Sequence, residues 1–291
     1  MSSFDEIVRK IKAIEIQGAI RVALASIEAL NLKSKELKKK NELLPFVEIL
    51  KKARDTEPAM RNLLNLYMKN LREDLANTDE VYERLKNETL EASERIYEIG
   101  SRQIESGMKI FTHCRSSNAI GVLIRAWDDG KRFEVFNTET RPRFDVQGRA
   151  AAKTMVERGI PVTHMVDNAA YKYIIDCDIF IFGADSISSN GNIFNKIGTR
   201  IFAEIAKRAG VRTICCTNSI KFNPDTLSGA KEKIEMRDPK EVWDFEHPNL
   251  KIVNPAFDEV ERQFVDSIIC EWGLFSPDGF VSRAAGVYLE S

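Results

Sequence analysis

The chain has 291 residues, 43% of them hydrophobic and 30% charged, with 43 basic side chains against 44 acidic ones. That length suits one large domain or two smaller ones with a sizeable core, and the formal net charge of -1 removes any bulk attraction to nucleic acid or an anionic membrane surface. No run approaches the roughly 18 uncharged residues of a membrane span. The opening Met1-Ser2-Ser3-Phe4-Asp5-Glu6 lacks the basic-then-apolar order of a secretion signal. These features point to a soluble cytoplasmic protein, with no membrane and no nucleic acid among its partners. Cys114, Cys177, Cys215, Cys216 and Cys270 form no CxxC pair and the three histidines form no cluster, which argues against zinc. The odd count favours reduced thiols, and Cys177, Cys215 and Cys270 read as small buried hydrophobes inside apolar runs.

The chain changes character near residue 107. Before it, glycine occurs only at Gly18 and Gly100, and apolar residues follow a helical period, as in Phe4, Ile7, Val8 and Ile11. The pattern predicts helices over 4–14, 18–31, 43–54, 58–75 and 78–105. The lysine-rich stretch 33–40 is a solvated connection, and Asn77-Thr78-Asp79-Glu80 supplies cap residues for the fifth helix. Residues 1–106 are thus expected to form a helical N-terminal domain.

From 107 to 291 short apolar runs alternate with amphipathic segments. Strands are expected at 110–113, 133–138, 162–166, 179–183 and 213–217, with helices near 117–129, 148–158, 168–175 and 198–209. Such alternation implies an α/β domain with right-handed βαβ units and a mostly parallel, Rossmann-like sheet. Ligands of such sheets sit beyond the carboxyl ends of the strands. No GxGxxG or Walker A pattern is present, so no dinucleotide or P-loop nucleotide is indicated.

The strand ends are unusually polar. The first carries Thr112-His113-Cys114-Arg115-Ser116-Ser117-Asn118 before a helix, where a thiol feels the helix dipole and Ser116, Ser117 and nearby amides can hold an anion. An ordinary cap beside a buried cysteine is the alternative, and His113 reads as structural. The second ends in Thr138-Glu139-Thr140-Arg141-Pro142, followed by Gln147-Gly148 at a helix start. There Gly148 allows close backbone approach to a phosphate and Arg141 can fork onto one, or pair with Glu139. The third leads into Asp167-Asn168, where Asn168 reads as a simple cap and Asp167 stays open. The fourth is the most informative: Gly183-Ala184-Asp185, then Asn190-Gly191, then Asn195-Lys196-Ile197-Gly198-Thr199. It places a carboxylate at a strand end with a cation and amides in the following loop.

These motifs, with Lys221-Phe222, Ile234-Glu235-Met236-Arg237-Asp238-Pro239 and Asn254-Pro255-Ala256-Phe257-Asp258, resemble one superfamily across essentially the whole chain. It contains 5-methylthioribose-1-phosphate isomerase, archaeal ribose-1,5-bisphosphate isomerase, which the pattern resembles most, and the regulatory subunits of translation initiation factor 2B. The resemblance implies a helical domain joined to a Rossmann-like one, and self-association as a dimer or hexamer. The implied reaction converts a cyclic pentose 1-phosphate, best represented by ribose 1,5-bisphosphate, to its ketose, with no cofactor or metal. Cys114 and Asp185 match the catalytic pair; Asn195 and Lys196 match substrate contacts, and Gln147 and Lys221 fall at matching positions. The regulatory subunits, which bind without turnover, often lack the Cys and Asp pair.

Two triplets depart from the family pattern. Its Arg-Gly-Ala reads Gln17-Gly18-Ala19, and its Arg-Pro-Thr reads Glu57-Pro58-Ala59. Arg21 and Arg61 each follow the vacated position by four residues, one helical turn along the same face. They are candidates to serve a phosphate there, beside Gly18 and Ala19; the alternative is that both are surface residues.

Overall fold

The computed structural model describes residues 3–54, 56–142 and 147–288. The chain opens with five helices: α1 (Phe4–Lys12), α2 (Ala19–Ser34), α3 (Leu44–Ala53), α4 (Pro58–Asn70) and α5 (Thr78–Ser101). In α1 the side chain of Ser3 accepts from the Glu6 amide, acids fill the first turn, and Phe4, Ile7, Val8 and Ile11 form the buried stripe. Ile27, Leu30, Leu43, Leu50, Met60 and Tyr67 complete a helical core in which all six are fully buried. Each such side chain contributes roughly 1.5–3 kcal/mol relative to exposure.

The alternating region follows as β1 (Lys109–Thr112), α6 (Ser117–Asp128), β2 (Glu134–Thr138), α7 (Gln147–Val156), β3 (Val162–Met165), α8 (Tyr171–Ile174) and β4 (Ile179–Phe182). It continues through β5 (Ser186–Ile187), β6 (Ile193–Lys196), α9 (Thr199–Arg208), β7 (Arg212–Cys216), β8 (Phe257–Val260), β9 (Ser267–Cys270), β10 (Gly273–Phe275) and α10 (Pro277–Tyr288). The main sheet has the order β10-β9-β7-β4-β1-β2-β3. Its pairs are parallel except β9 with β10. Strands β5, β6 and β8 form a small antiparallel sheet beside it.

Both faces of the central strand β4 are covered, which is why it reads as an unbroken apolar run, whereas the edge strand β3 is partly exposed. Successive residues point to opposite faces: Phe111, Phe180 and Phe182 enter a core with Phe202, Cys215 and Phe280, whereas Ile110, Ile179 and Ile181 enter one with Leu123, Val135 and Met155. The second core also receives Ile96 of α5. That helix lies so close to α6 that a Cβ on Gly121 would fall 2.2 Å from the Tyr97 ring, and one on Gly100 2.4 Å from Val122.

The five expected helices and five expected strands are present, with shifted ends. The fourth helix stops at Asn70 and the fifth at Ser101. Helix α2 runs into the lysine-rich stretch as far as Ser34, and a 3-10 turn starts at Lys40. The segment expected as a helix over 168–175 divides into a 3-10 turn at Asp167–Ala169 and the single turn of α8. Asn77 is the N-cap residue of α5 but its side chain does not cap it. Its amide instead accepts from the Arg72 backbone and donates to the Asn70 carbonyl, closing the preceding loop. Cys177, Cys215 and Cys270 are buried as expected, and desolvation pushes the Cys177 and Cys270 thiols up to about 12.

Candidate active site

The strand order creates the site. From β1 the chain moves outward to β2 and β3, then crosses to β4, β7 and β9 on the other side. The loops leaving β1 and β4 therefore diverge, and the crevice between their carboxyl ends is where open α/β sheets bind ligands. Cys114 follows β1 and Asp185 follows β4, on adjacent strands paired Ile110 to Ile179 and Phe111 to Phe180. Gly183 brings the two ends together: a Cβ there would lie 2.1 Å from the Ser116 hydroxyl oxygen and 2.5 Å from Ser116 Cβ.

On the β1 side, His113 is 1% exposed. Its Nε2 lies 2.9 Å from the Ile197 carbonyl and its Nδ1 2.6 Å from Thr138 Oγ1. A carbonyl can only accept, so Nε2 carries the proton and Nδ1 accepts from the threonine. Burial holds the imidazole neutral, with its pKa lowered to about 4. His113 is structural, as the sequence suggested. It locks β1 to β2 and to the loop after β6, and leaves Cys114 partly exposed. Cys114 sits in the left-handed region at φ 68°, as does Thr140 at φ 60°, conformations that cost non-glycine residues about 1–3 kcal/mol each. A clamp holds them: the Cys114 amide donates to Thr140 Oγ1 at 3.1 Å, and the Asp167 carboxylate accepts from the Thr140 and Arg141 amides at 2.9 and 2.8 Å. Asp167, left open by the sequence, is therefore the anchor of the loop opposite Cys114.

Ser116 is the N-cap of α6, its hydroxyl accepting from the Ala119 amide at 3.2 Å. Its lone pairs thus serve the helix, and exposed Arg115 and Ser117 flank it. Gly148 has a packing role different from the expected phosphate approach. A Cβ there would fall 1.8 Å from the Thr138 carbonyl oxygen, so the glycine lets α7 seat against the end of β2. Arg141 is exposed and does not pair with Glu139, whose partner is Arg149 at 3.1 Å. Gln147 donates to Gln17 Oε1 at 2.9 Å, bringing Gly18 and Ala19 at the start of α2 to the start of α7.

On the β4 side, the Asp185 amide donates to the Phe194 carbonyl at 2.8 Å, fixing this loop against β6. Asn195 and Lys196 are buried on β6; Asn195 donates to Thr199 Oγ1 at 2.9 Å, and the Lys196 ammonium lies 5.8 Å from the Phe257 ring centre. Buried Lys221 donates to the Ala184 carbonyl at 2.6 Å. Arg61 is half-buried, with its guanidinium 3.2 Å from Asn223 Oδ1 and 3.6 Å from Asp225. Arg21 is exposed on the first turns of α2. Among the described residues no group of three or more His, Cys, Asp and Glu could hold a metal ion.

One residue enters the site unannounced. Glu57 was visible in the sequence as a departure from the family pattern, but a lone glutamate before a helix carries no signal of burial. It is 2% exposed and feels the charge of Asp185 and Lys221.

A mostly parallel sheet with a thiol and a carboxylate after neighbouring strands at its switch point, and lysines nearby, has the arrangement of a small-molecule site in an open α/β fold rather than of a nucleotide P-loop. The sequence comparison narrows this class. The Initiation factor 2 subunit family matches residues 8–277, and the chain belongs to that family. It is 40% identical to a ribose 1,5-bisphosphate isomerase of Methanocaldococcus jannaschii over 96% of this chain and 93% of that protein. Its fold superposes on a translation initiation factor eIF-2B of Pyrococcus horikoshii with a TM-score of 0.81 and 26% identity, covering 94% of this chain and 97% of that one. It also superposes on a 5-methylthioribose 1-phosphate isomerase of the same organism with a TM-score of 0.75 and 26% identity, covering 100% and 88%.

Proposed function

We propose that this chain is an aldose–ketose isomerase of a phosphorylated pentose, with ribose 1,5-bisphosphate as the first substrate to test. The observation that carries the reading is Cys114 and Asp185 at neighbouring strand ends on the switch point. The relative named ribose 1,5-bisphosphate isomerase, similar over nearly the whole of both chains, supports the substrate class.

The chemistry requires two proton-handling groups. An anomeric phosphate blocks spontaneous opening of the ring, so the C1–O4 bond must break with its electrons going to O4, which takes a proton. The hydrogen on C2 ends on C1, the O2 hydroxyl loses its proton, and a ketone remains at C2. The proton given to O4 and the one taken from O2 balance, so one acid and one base complete the cycle with no net redox change. Cys114 and Asp185 share these duties in this reading. Lys196, Lys221 and the amino end of α6 supply positive potential for the phosphates. Self-association as a dimer or a dimer-built hexamer belongs to the same reading.

Incubation with ribose 1,5-bisphosphate, followed by 13C NMR, should show a ketose carbonyl. Cys114→Ser and Asp185→Asn should each lower turnover at least about a hundredfold, the usual scale for acid–base groups. Near-full activity in both variants overturns the assignment. Specific binding of the sugar phosphate without turnover would instead identify a non-catalytic member of the family.

A further inference from the structure

Glu57 is the carboxylate in this site that the proposed chemistry leaves without a task. It stands immediately before α4, yet its side chain does not cap that helix. Oε1 lies 3.0 Å from an Arg54 guanidinium nitrogen. Oε2 is buried with no hydrogen-bond partner among the described residues. A carboxylate oxygen buried without a donor is costly, so a proton or a donor must offset it.

The charged groups facing Glu57 come from four places. Arg54, itself buried, ends α3 and divides its guanidinium between Glu57 and Glu235, the latter at 3.3 Å. Glu235, in the long segment between β7 and β8, is also 3.4 Å from Arg237. Asp185 comes from the end of β4, and Lys221 from the turn after β7. Part of the arginine charge is therefore spent on Glu235, while Lys221 is bound to the carbonyl next to Asp185. Burial first, and the negative charge of Asp185 second, push the Glu57 carboxyl up to about 7 against the pull of Arg54 and Lys221.

We infer that Glu57 is a positioning residue for Asp185: its buried carboxyl keeps the proton whose loss would set a second negative charge beside the crevice. Its kinetic consequence rests on the isomerase reading; the coupling of the two carboxyls does not. Below about pH 7 Glu57 is neutral and adds no negative charge of its own to the field at Asp185. Above it, Glu57 ionises and repels both the Asp185 carboxylate and an incoming phosphate dianion.

Two measurements test this. In protein carrying 13C-carboxyl glutamate, the Glu57 resonance is assigned by its loss in Glu57→Gln. Its titration midpoint should lie near 7 and should move acidward by about one pH unit in Asp185→Asn, which leaves the Arg54–Glu57 contact in place. In the kinetic arm, kcat/KM of the wild type should decline above about pH 7. Glu57→Gln should abolish that decline, whatever its effect on the plateau rate. A Glu57 midpoint in the ordinary carboxylate range, one unmoved by Asp185→Asn, or an alkaline decline that persists in Glu57→Gln each overturns the inference. If the titration behaves as expected while the wild type turns over no sugar phosphate, the isomerase reading fails and the carboxyl coupling stands.

Discussion

Gly183→Ala tests how the two halves of the site are held together. Gly183 does not adopt a left-handed conformation, so the substitution is governed by space alone. An added Cβ meets Ser116 Oγ at 2.1 Å and Ser116 Cβ at 2.5 Å. Rotating the hydroxyl away relieves the first contact but gives up its bond to the Ala119 amide, at a cost of about 1 kcal/mol. The second contact is relieved only by backbone movement, at about 1–3 kcal/mol for overpacking. The sum, about 2–4 kcal/mol, corresponds to a fall in Tm of roughly 3–7 °C for a chain of this size. The movement also separates the loop carrying Cys114 from that carrying Asp185, and a displacement of about 1 Å costs on the order of a hundredfold in rate. Calorimetry and turnover on ribose 1,5-bisphosphate read the two effects. The control is Ser116→Gly in the same protein, because the nearest remaining Ser116 atom is then Cα at 3.7 Å, and glycine at an N-cap costs only a few tenths of a kcal/mol. The double variant should recover most of both losses. A Gly183→Ala protein with unchanged Tm and kcat, or a double variant no better than the single one, refutes the argument.

Two further outcomes are expected. Asp167→Asn leaves one acceptor for the Thr140 and Arg141 amides where there were two; with the clamp on Cys114 weakened, kcat should fall at least about tenfold with little change in KM, since the loss is of orientation rather than of binding. Equal changes in KM alone would show that the loop binds rather than positions. His113 is held neutral, its pKa lowered from 6.5 to about 4 by burial. The unfolded chain therefore binds a proton that the folded one refuses, and stability present above pH 6.5 is lost as pH falls toward 4, by about 3 kcal/mol from this residue. Tm between pH 7 and 4.5, with 15N NMR of the imidazole, checks this; a ring that titrates near 6.5 in the folded protein contradicts it. Glu57 acts in the opposite sense, its raised carboxyl favouring the fold at low pH and losing that contribution as pH rises through about 7.

Much of this protein is legible along the chain. The period of the apolar residues marks the five N-terminal helices, and alternating runs mark β1, β2, β3, β4 and β7, because burial on one stripe or on both faces of a sheet imposes those patterns. The motifs after the strands single out Cys114, Asp185, Asn195 and Lys196, since polar groups beside buried strands are hard to justify by packing, whereas Lys221 enters only through the family resemblance. Strands β5, β6 and β8 escape that reading because they are short, with residues such as Ser186, Asn195, Lys196, Asp258 and Glu259 breaking the apolar pattern. Asn77 and Gly148 have the residue types of a cap and a phosphate loop, yet their neighbours in space give them a loop closure and a packing contact. Which strand lies beside which is not written in any local segment. The adjacency of β1 and β4, and with it the placing of Cys114 and Asp185 after neighbouring strands, follows from the crossover that reverses the direction of the sheet. The same holds for Glu57: its chemistry depends on the low dielectric and the charges that Asp185, Lys221 and Glu235 bring from 128 to 178 residues further along the chain. Local preference sets the elements, because the backbone and its nearest side chains decide them. The distances between charges are set by packing, because burial and Coulomb interaction act through space and not along the sequence.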